Sequence, residues 1–72
     1  MRHFEFTMAL SAQKTRAIYA GRARFILVET DRGLKLQLPA ANFLEYVTDD
    51  GIHGRFDVKI DANNKILALR RA

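Results

Sequence analysis

Phe4, Phe6, Met8 and Leu10 alternate with His3, Glu5, Thr7 and Ala9, the period of two expected of a strand with one buried face. Ser11 follows with a hydroxyl that can accept a bond from a free backbone N–H, and Gly21 supplies a residue able to turn left-handed. Between them the spacing predicts a helix over 12–20, with Ala12, Thr15, Ile18 and Tyr19 sharing one side and Lys14 and Arg16 flanking it. Arg22 to Thr30 is rich in β-branched and aromatic residues. Phe25, Ile26, Leu27 and Val28 are apolar in succession, which predicts an interior strand covered on both faces.

Asp31-Arg32-Gly33 is a turn, and Leu34, Leu36 and Leu38 alternate with Lys35 and Gln37 in a half-buried return strand ended by Pro39. Phe43, Leu44 and Val47 then predict a short helix over 40–47, with Asn42 and Glu45 at the spacing of a capping box. After Thr48-Asp49-Asp50-Gly51, a fourth strand runs from Ile52 to Ile60 with a bulge expected at Gly54. Asp61-Ala62-Asn63-Asn64 is turn chemistry. Lys65 to Arg70 closes the chain as a fifth strand, Ile66 and Ala68 on one face, Leu67 and Leu69 on the other.

The expected class is therefore α+β: about five antiparallel strands in one sheet with two short helices mainly on one side, in the order β-α-β-β-α-β-β. A sheet curled toward a small barrel is the alternative closure. The chain of 72 residues, 49% hydrophobic and 28% charged, is expected to form one domain, 1–72. It has no cysteine, so disulfides and thiolate chemistry are excluded. No run approaches the roughly 20 apolar residues of a membrane span, and Glu5 falls where a signal-peptide core would begin, so the expected location is cytoplasmic and off the membrane.

Charge changes the picture more. The net charge of +4 lies wholly in residues 1–36, which carry seven bases and three acids, whereas residues 37–72 carry five of each. No acid occurs between Glu5 and Glu29. Lys14, Arg16, Arg22 and Arg24 fall inside that window, and with Arg70 and Arg71 they form the candidate polyanion-binding patch near the junction of the first helix and second strand.

The remaining candidate chemistry is sparse. His3 and His53 both fall on polar strand faces, where a solvated imidazole is the ordinary state, and no serine or threonine is set up beside them as a nucleophile. His3, His53 and Asp57 share a phase that a metal site could use, but Arg55 stands among them, and its pairing with an acid such as Glu5 fits that face better. Asp61-x-Asn63-x-Lys65 puts a lysine where a calcium loop needs a ligand. Gly51-Ile52-His53-Gly54 has the form of a phosphate clamp, yet Asp49 and Asp50 precede it and a turn feeding a strand explains both glycines. The phenylalanines all fall on expected core faces, leaving Tyr19 and Tyr46 as the only aromatics available for stacking on bases.

Three stretches resemble a known family. Tyr19-Ala20-Gly21-Arg22-Ala23-Arg24, Leu38-Pro39-Ala40 and Val47 through Phe56, with Asn64-Lys65 near the end, are similar to short bacterial proteins classed as a domain of unknown function, family 2835. Ile18 departs from that pattern, which suggests an aromatic beside Tyr19. The resemblance implies a cytoplasmic bacterial protein and brings no catalytic residue. The functional expectation is a non-catalytic interaction module without cofactor or metal, acting through a protein partner or as a homodimer. Nucleic-acid or polyanion binding through the basic patch is the alternative.

Overall fold

The structure, a computed structural model, describes residues 1–72. Five strands and two short helical segments follow in order: β1 (Arg2–Leu10), α1 (Ala12–Tyr19), β2 (Phe25–Glu29), β3 (Lys35–Pro39), a 3₁₀ helix (Ala40–Tyr46), β4 (Ile52–Ile60) and β5 (Ile66–Arg71). The class is α+β, as the patterning predicts.

The strands fall into two antiparallel sheets rather than one. β4 lies between β1 and β5, and β2 pairs only with β3. The two sheets meet at one bridge, Phe6 with Thr30, reinforced by the Asp31 N–H donating to the Glu5 carbonyl at 2.9 Å. No further pairing joins β2 to β1, so the strands do not close into a barrel.

Alternation fixes what each sheet buries. Phe4, Phe6 and Met8 of β1 lie opposite Val58, Phe56 and Gly54 of β4, and the inward side chains of both strands are in the core. Ile26, Val28, Leu36 and Leu38 complete it from the hairpin, Ile18 from α1, and Ala40 and Phe43 from the 3₁₀ helix. Phe6 stacks on Phe56 at 5.8 Å between ring centroids, and Phe43 and Tyr46 meet Phe56 edge-on at 5.7 and 5.1 Å.

Four expectations about local structure are corrected. The segment after Pro39 is a 3₁₀ helix with no side-chain cap, because proline rather than Asn42 occupies the position before it. β4 passes Gly54 without a bulge, its register with β1 unbroken from Leu10–Ile52 to Arg2–Ile60. The irregularity lies instead opposite Lys59 and Ile60, where β5 skips Leu67. That extra residue shifts the phase, so Ile66 and Leu69 both pack against the core while Leu67 is exposed. Finally, β2 is not covered on both faces: Ile26, Val28 and Thr30 point inward, leaving Phe25 and Leu27 outward.

Candidate functional site

The basic residues owe their placement to the way α1 starts and stops. The Ser11 hydroxyl accepts from the Lys14 N–H at 3.3 Å, and the Thr15 hydroxyl returns a bond to the Ser11 carbonyl at 2.9 Å. At the other end Gly21 sits at φ 77°, its N–H donating to the Ile18 carbonyl while the Arg22 N–H reaches the Ala17 carbonyl. These two bonds make a Schellman stop, which reverses the chain and carries Arg22 back along the helix. Lys14, Arg16 and Arg22 consequently line one hollow of about 530 Å³. Tyr19, one of the two aromatics left outside the expected core, is 62% exposed.

The other three members of the predicted patch lie elsewhere. Arg24 lines a separate hollow with Ile18, Ala40 and Leu44, between α1 and the 3₁₀ helix. Arg70 is opposite Asp57 on β5, and Arg71 donates from Nη2 to the His53 carbonyl at 2.7 Å. None of the six cations has an acid within ion-pair distance.

The outer face of β1 and β4 is polar and internally paired. His3 contacts the Asp57 carboxylate, and the Arg55 guanidinium reaches Asp31 at 2.5 Å, Thr7 at 3.0 Å and Glu5 at 3.4 Å. Glu5 is the partner the strand phase suggests. Asp31 comes from the hairpin turn and is invisible to that reasoning, yet its hydrogen bond and charge are the main reason the Arg55 pKa is raised above its ordinary value. The register places His3 opposite Lys59 and His53 opposite Ala9, near opposite ends of the ladder, so the two imidazoles share no site. His53 Nε2 lies 2.7 Å from the Asp50 carbonyl.

The turn residues are similarly occupied. Asp61 Oδ1 accepts from the Asn63 and Lys65 N–H groups at 2.8 and 2.9 Å, and these bonds, that to Lys65 foremost, hold its carboxyl below the ordinary range. Gly51 pairs reciprocally with Thr48, N–H to carbonyl at 3.0 and 2.7 Å. Its α-carbon lies so close to the end of β1 that a β-carbon would come within 2.0 Å of the Leu10 carbonyl oxygen.

The family model described as Protein of unknown function (DUF2835) matches residues 2–72. The chain belongs to this family. No curated protein and no solved structure matches it. The blocks by which the sequence resembles DUF2835 are structural punctuation in this DUF2835 chain: the Tyr19–Arg24 block is the Schellman stop, Pro39 ends β3, and Gly51 lets β4 begin against β1.

What the DUF2835 fold leaves unused is on the hairpin. Phe25 and Leu27 are 56% and 67% exposed on the outer face of β2. Beside them a groove of about 450 Å³ runs along β3, bounded on its far side by Arg2, Ile60 and Asn64. Composition hid this surface, because a continuous apolar run in a strand reads as burial on both sides. The usable signal was the shortage of elements: two short helical segments cannot cover every sheet face.

Proposed function

We propose that this chain is a non-catalytic interaction module acting through protein contacts, with the outward side of the β2–β3 hairpin as its contact surface. The observation that carries this reading is the exposure of Phe25 and Leu27 together, while the fourteen-residue core closes without them. Leaving two large apolar side chains in water forgoes roughly 25 cal/mol for each Å² that burial would remove. A partner recovers that energy by covering them. A cytoplasmic setting in a bacterium belongs to the same reading; no helix is long and apolar enough to cross a membrane.

The test is capture from a lysate of the native cell, with and without nuclease, by wild type and by Phe25→Ser/Leu27→Lys, alongside sedimentation at micromolar concentration. The expected result is a nuclease-resistant partner, or a dimer, lost in the double variant while its circular dichroism and unfolding midpoint match wild type. A monomer that captures nothing, or capture indifferent to the two substitutions, overturns the proposal.

A second reading, binding of nucleic acid or another polyanion, is supported by the hollow that gathers Lys14, Arg16 and Arg22 without any ion-paired acid. Three phosphate contacts correspond to a log–log salt slope of about −2 to −3. Arg16→Glu/Arg22→Glu abolishes such binding if the hollow is the site. Binding absent at low salt, or untouched by this double reversal, removes the reading.

A further inference from the structure

The groove along β3 is the edge of a sheet with its backbone unpaired. The Thr30 N–H donates to the Leu34 carbonyl at 2.8 Å and the Ala40 N–H to the Arg24 carbonyl at 2.8 Å. In the intervening register Val28 faces Leu36 and Ile26 faces Leu38. Antiparallel ladders alternate, so these even-numbered positions of β3 spend their N–H and C=O groups on β2, and Lys35, Gln37 and Pro39 direct theirs away from it. Proline has no N–H. Its carbonyl caps the start of the 3₁₀ helix, so the free edge offers two donors and two acceptors, those of Lys35 and Gln37, along a strand of about 17 Å.

The walls give this edge a chemical preference. Phe25, Leu34 and Pro39 offer apolar contact, Arg2 and Lys35 are cationic, and no acid lines the groove. The opposite edge of the fold is different, for the Tyr46 hydroxyl donates to the Leu69 carbonyl at 3.1 Å and so occupies part of the outer edge of β5. Lys35 and Pro39 are also the residue types that discourage one sheet edge from pairing with a copy of itself. A second copy on this groove would bring another Arg2 and another Lys35 toward the first pair.

We propose that the β3 edge accepts an extended peptide of alternating acidic and apolar residues from a partner protein, added antiparallel or parallel as a further strand. Main-chain bonds to Lys35 and Gln37 supply the docking; the peptide's acids lie on the outer face with Lys35, its apolar positions turn to the inner side against Leu34 and Leu36, and Arg2 adds positive charge to the groove. This rests on the protein-contact reading above and names the chemistry of the partner.

The probe is a blocked hexapeptide alternating glutamate and valine, titrated into the whole chain and followed by amide NMR shifts and hydrogen exchange. The expected result is shifts centred on Lys35 and Gln37, with exchange at those two amides slowed at least about tenfold when the edge is saturated. Methylating the peptide nitrogens that face the edge, or Lys35→Glu, weakens binding at least about tenfold, and a lysine–valine peptide regains affinity for Lys35→Glu. The proposal is overturned by undisturbed Lys35 and Gln37 amides, by equal binding of the methylated peptide, or by shifts confined to Lys14, Arg16 and Arg22. It is also overturned if sedimentation shows a dimer whose edge amides are already protected. If the peptide leaves the edge untouched while capture still depends on Phe25 and Leu27, strand addition fails and the interaction reading stands; if neither holds, both fail.

Discussion

Replacing Gly51 by alanine tests whether the Gly-x-x-Gly block is part of the scaffold. Gly51 has φ 105°, and an added β-carbon would lie 2.0 Å from the Leu10 carbonyl oxygen, 2.7 Å from the Ser11 carbonyl carbon and 2.9 Å from the Ala12 nitrogen. All three are backbone atoms, so no side-chain rotation relieves the overlap. Left-handed backbone costs an alanine about 1–2 kcal/mol and overpacking a closed site about 1–3 kcal/mol more. The sum, about 2–5 kcal/mol, is a large share of the roughly 4–11 kcal/mol expected of 72 residues. Gly21→Ala is the control: φ is 77° there, but nothing lies within 4 Å of the added carbon, so only the conformational cost of about 1–2 kcal/mol remains. At about 4–8 °C per kcal/mol, the overpacking cost of about 1–3 kcal/mol should place Gly51→Ala about 4–24 °C below Gly21→Ala in thermal unfolding followed by circular dichroism. Equal midpoints would refute the close approach of β4 to the end of β1.

Phe56→Ala removes the ring on which Phe6, Phe43 and Tyr46 converge, and should cost about 3–5 kcal/mol, read as a collapsed urea midpoint; a loss under 1 kcal/mol contradicts the aromatic core. Asp61 has a folded-state pKa below its ordinary 3.8, so its contribution is present above that value and disappears as pH falls through the depressed one. The fall in urea midpoint between pH 5 and pH 2 should therefore be smaller in Asp61→Ala than in wild type, and equal falls contradict the turn's role. Because β2 joins β1 at a single bridge whereas β4 is paired along both edges, native-state exchange should protect the Phe56 and Val58 amides more than those of Ile26 and Val28. The reverse order contradicts the sheet division.

The elements were legible where one physical cue decided them. Alternation over 3–10 and 52–60 places β1 and β4 correctly, and the Ser11 and Gly21 signals bracket α1 to within a residue at its C-terminal end. The misreadings arose where a second part of the chain decides the outcome. Leu67 leaves the core because β5 must step once to keep Ile66 and Leu69 against it, a register choice made with β4. Asp31 joins Arg55 only because the hairpin turn lands beside β1, a contact spanning two elements of intervening chain. The basic window was plain in the sequence, but the Schellman stop divides it, turning Arg22 back toward Lys14 and Arg16 and leaving Arg24 to another hollow.

Matched and unmatched charges occur on both parts of the fold. On the three-stranded sheet Arg55 and His3 are each matched with a carboxylate, Arg55 by Asp31 of the hairpin turn as well as by Glu5 of β1, whereas Arg2, Lys59, Arg70 and Arg71 form no ion pair. Residues 11–39, between β1 and the 3₁₀ helix, bring further features together. They carry Lys14, Arg16, Arg22, Arg24 and Lys35 without a paired acid, the exposed Phe25 and Leu27, and the unpaired edge of β3. Glu29 of β2 lies opposite Lys35 in the ladder without forming an ion pair, and α1 itself carries no acid. Unspent charge, exposed apolar area and free backbone bonds are three different currencies of recognition; β5 also has Arg70, Arg71, the exposed Leu67 and an outer edge, but the Tyr46 hydroxyl occupies part of that edge, so the proposed contact surface is placed on the β2–β3 hairpin.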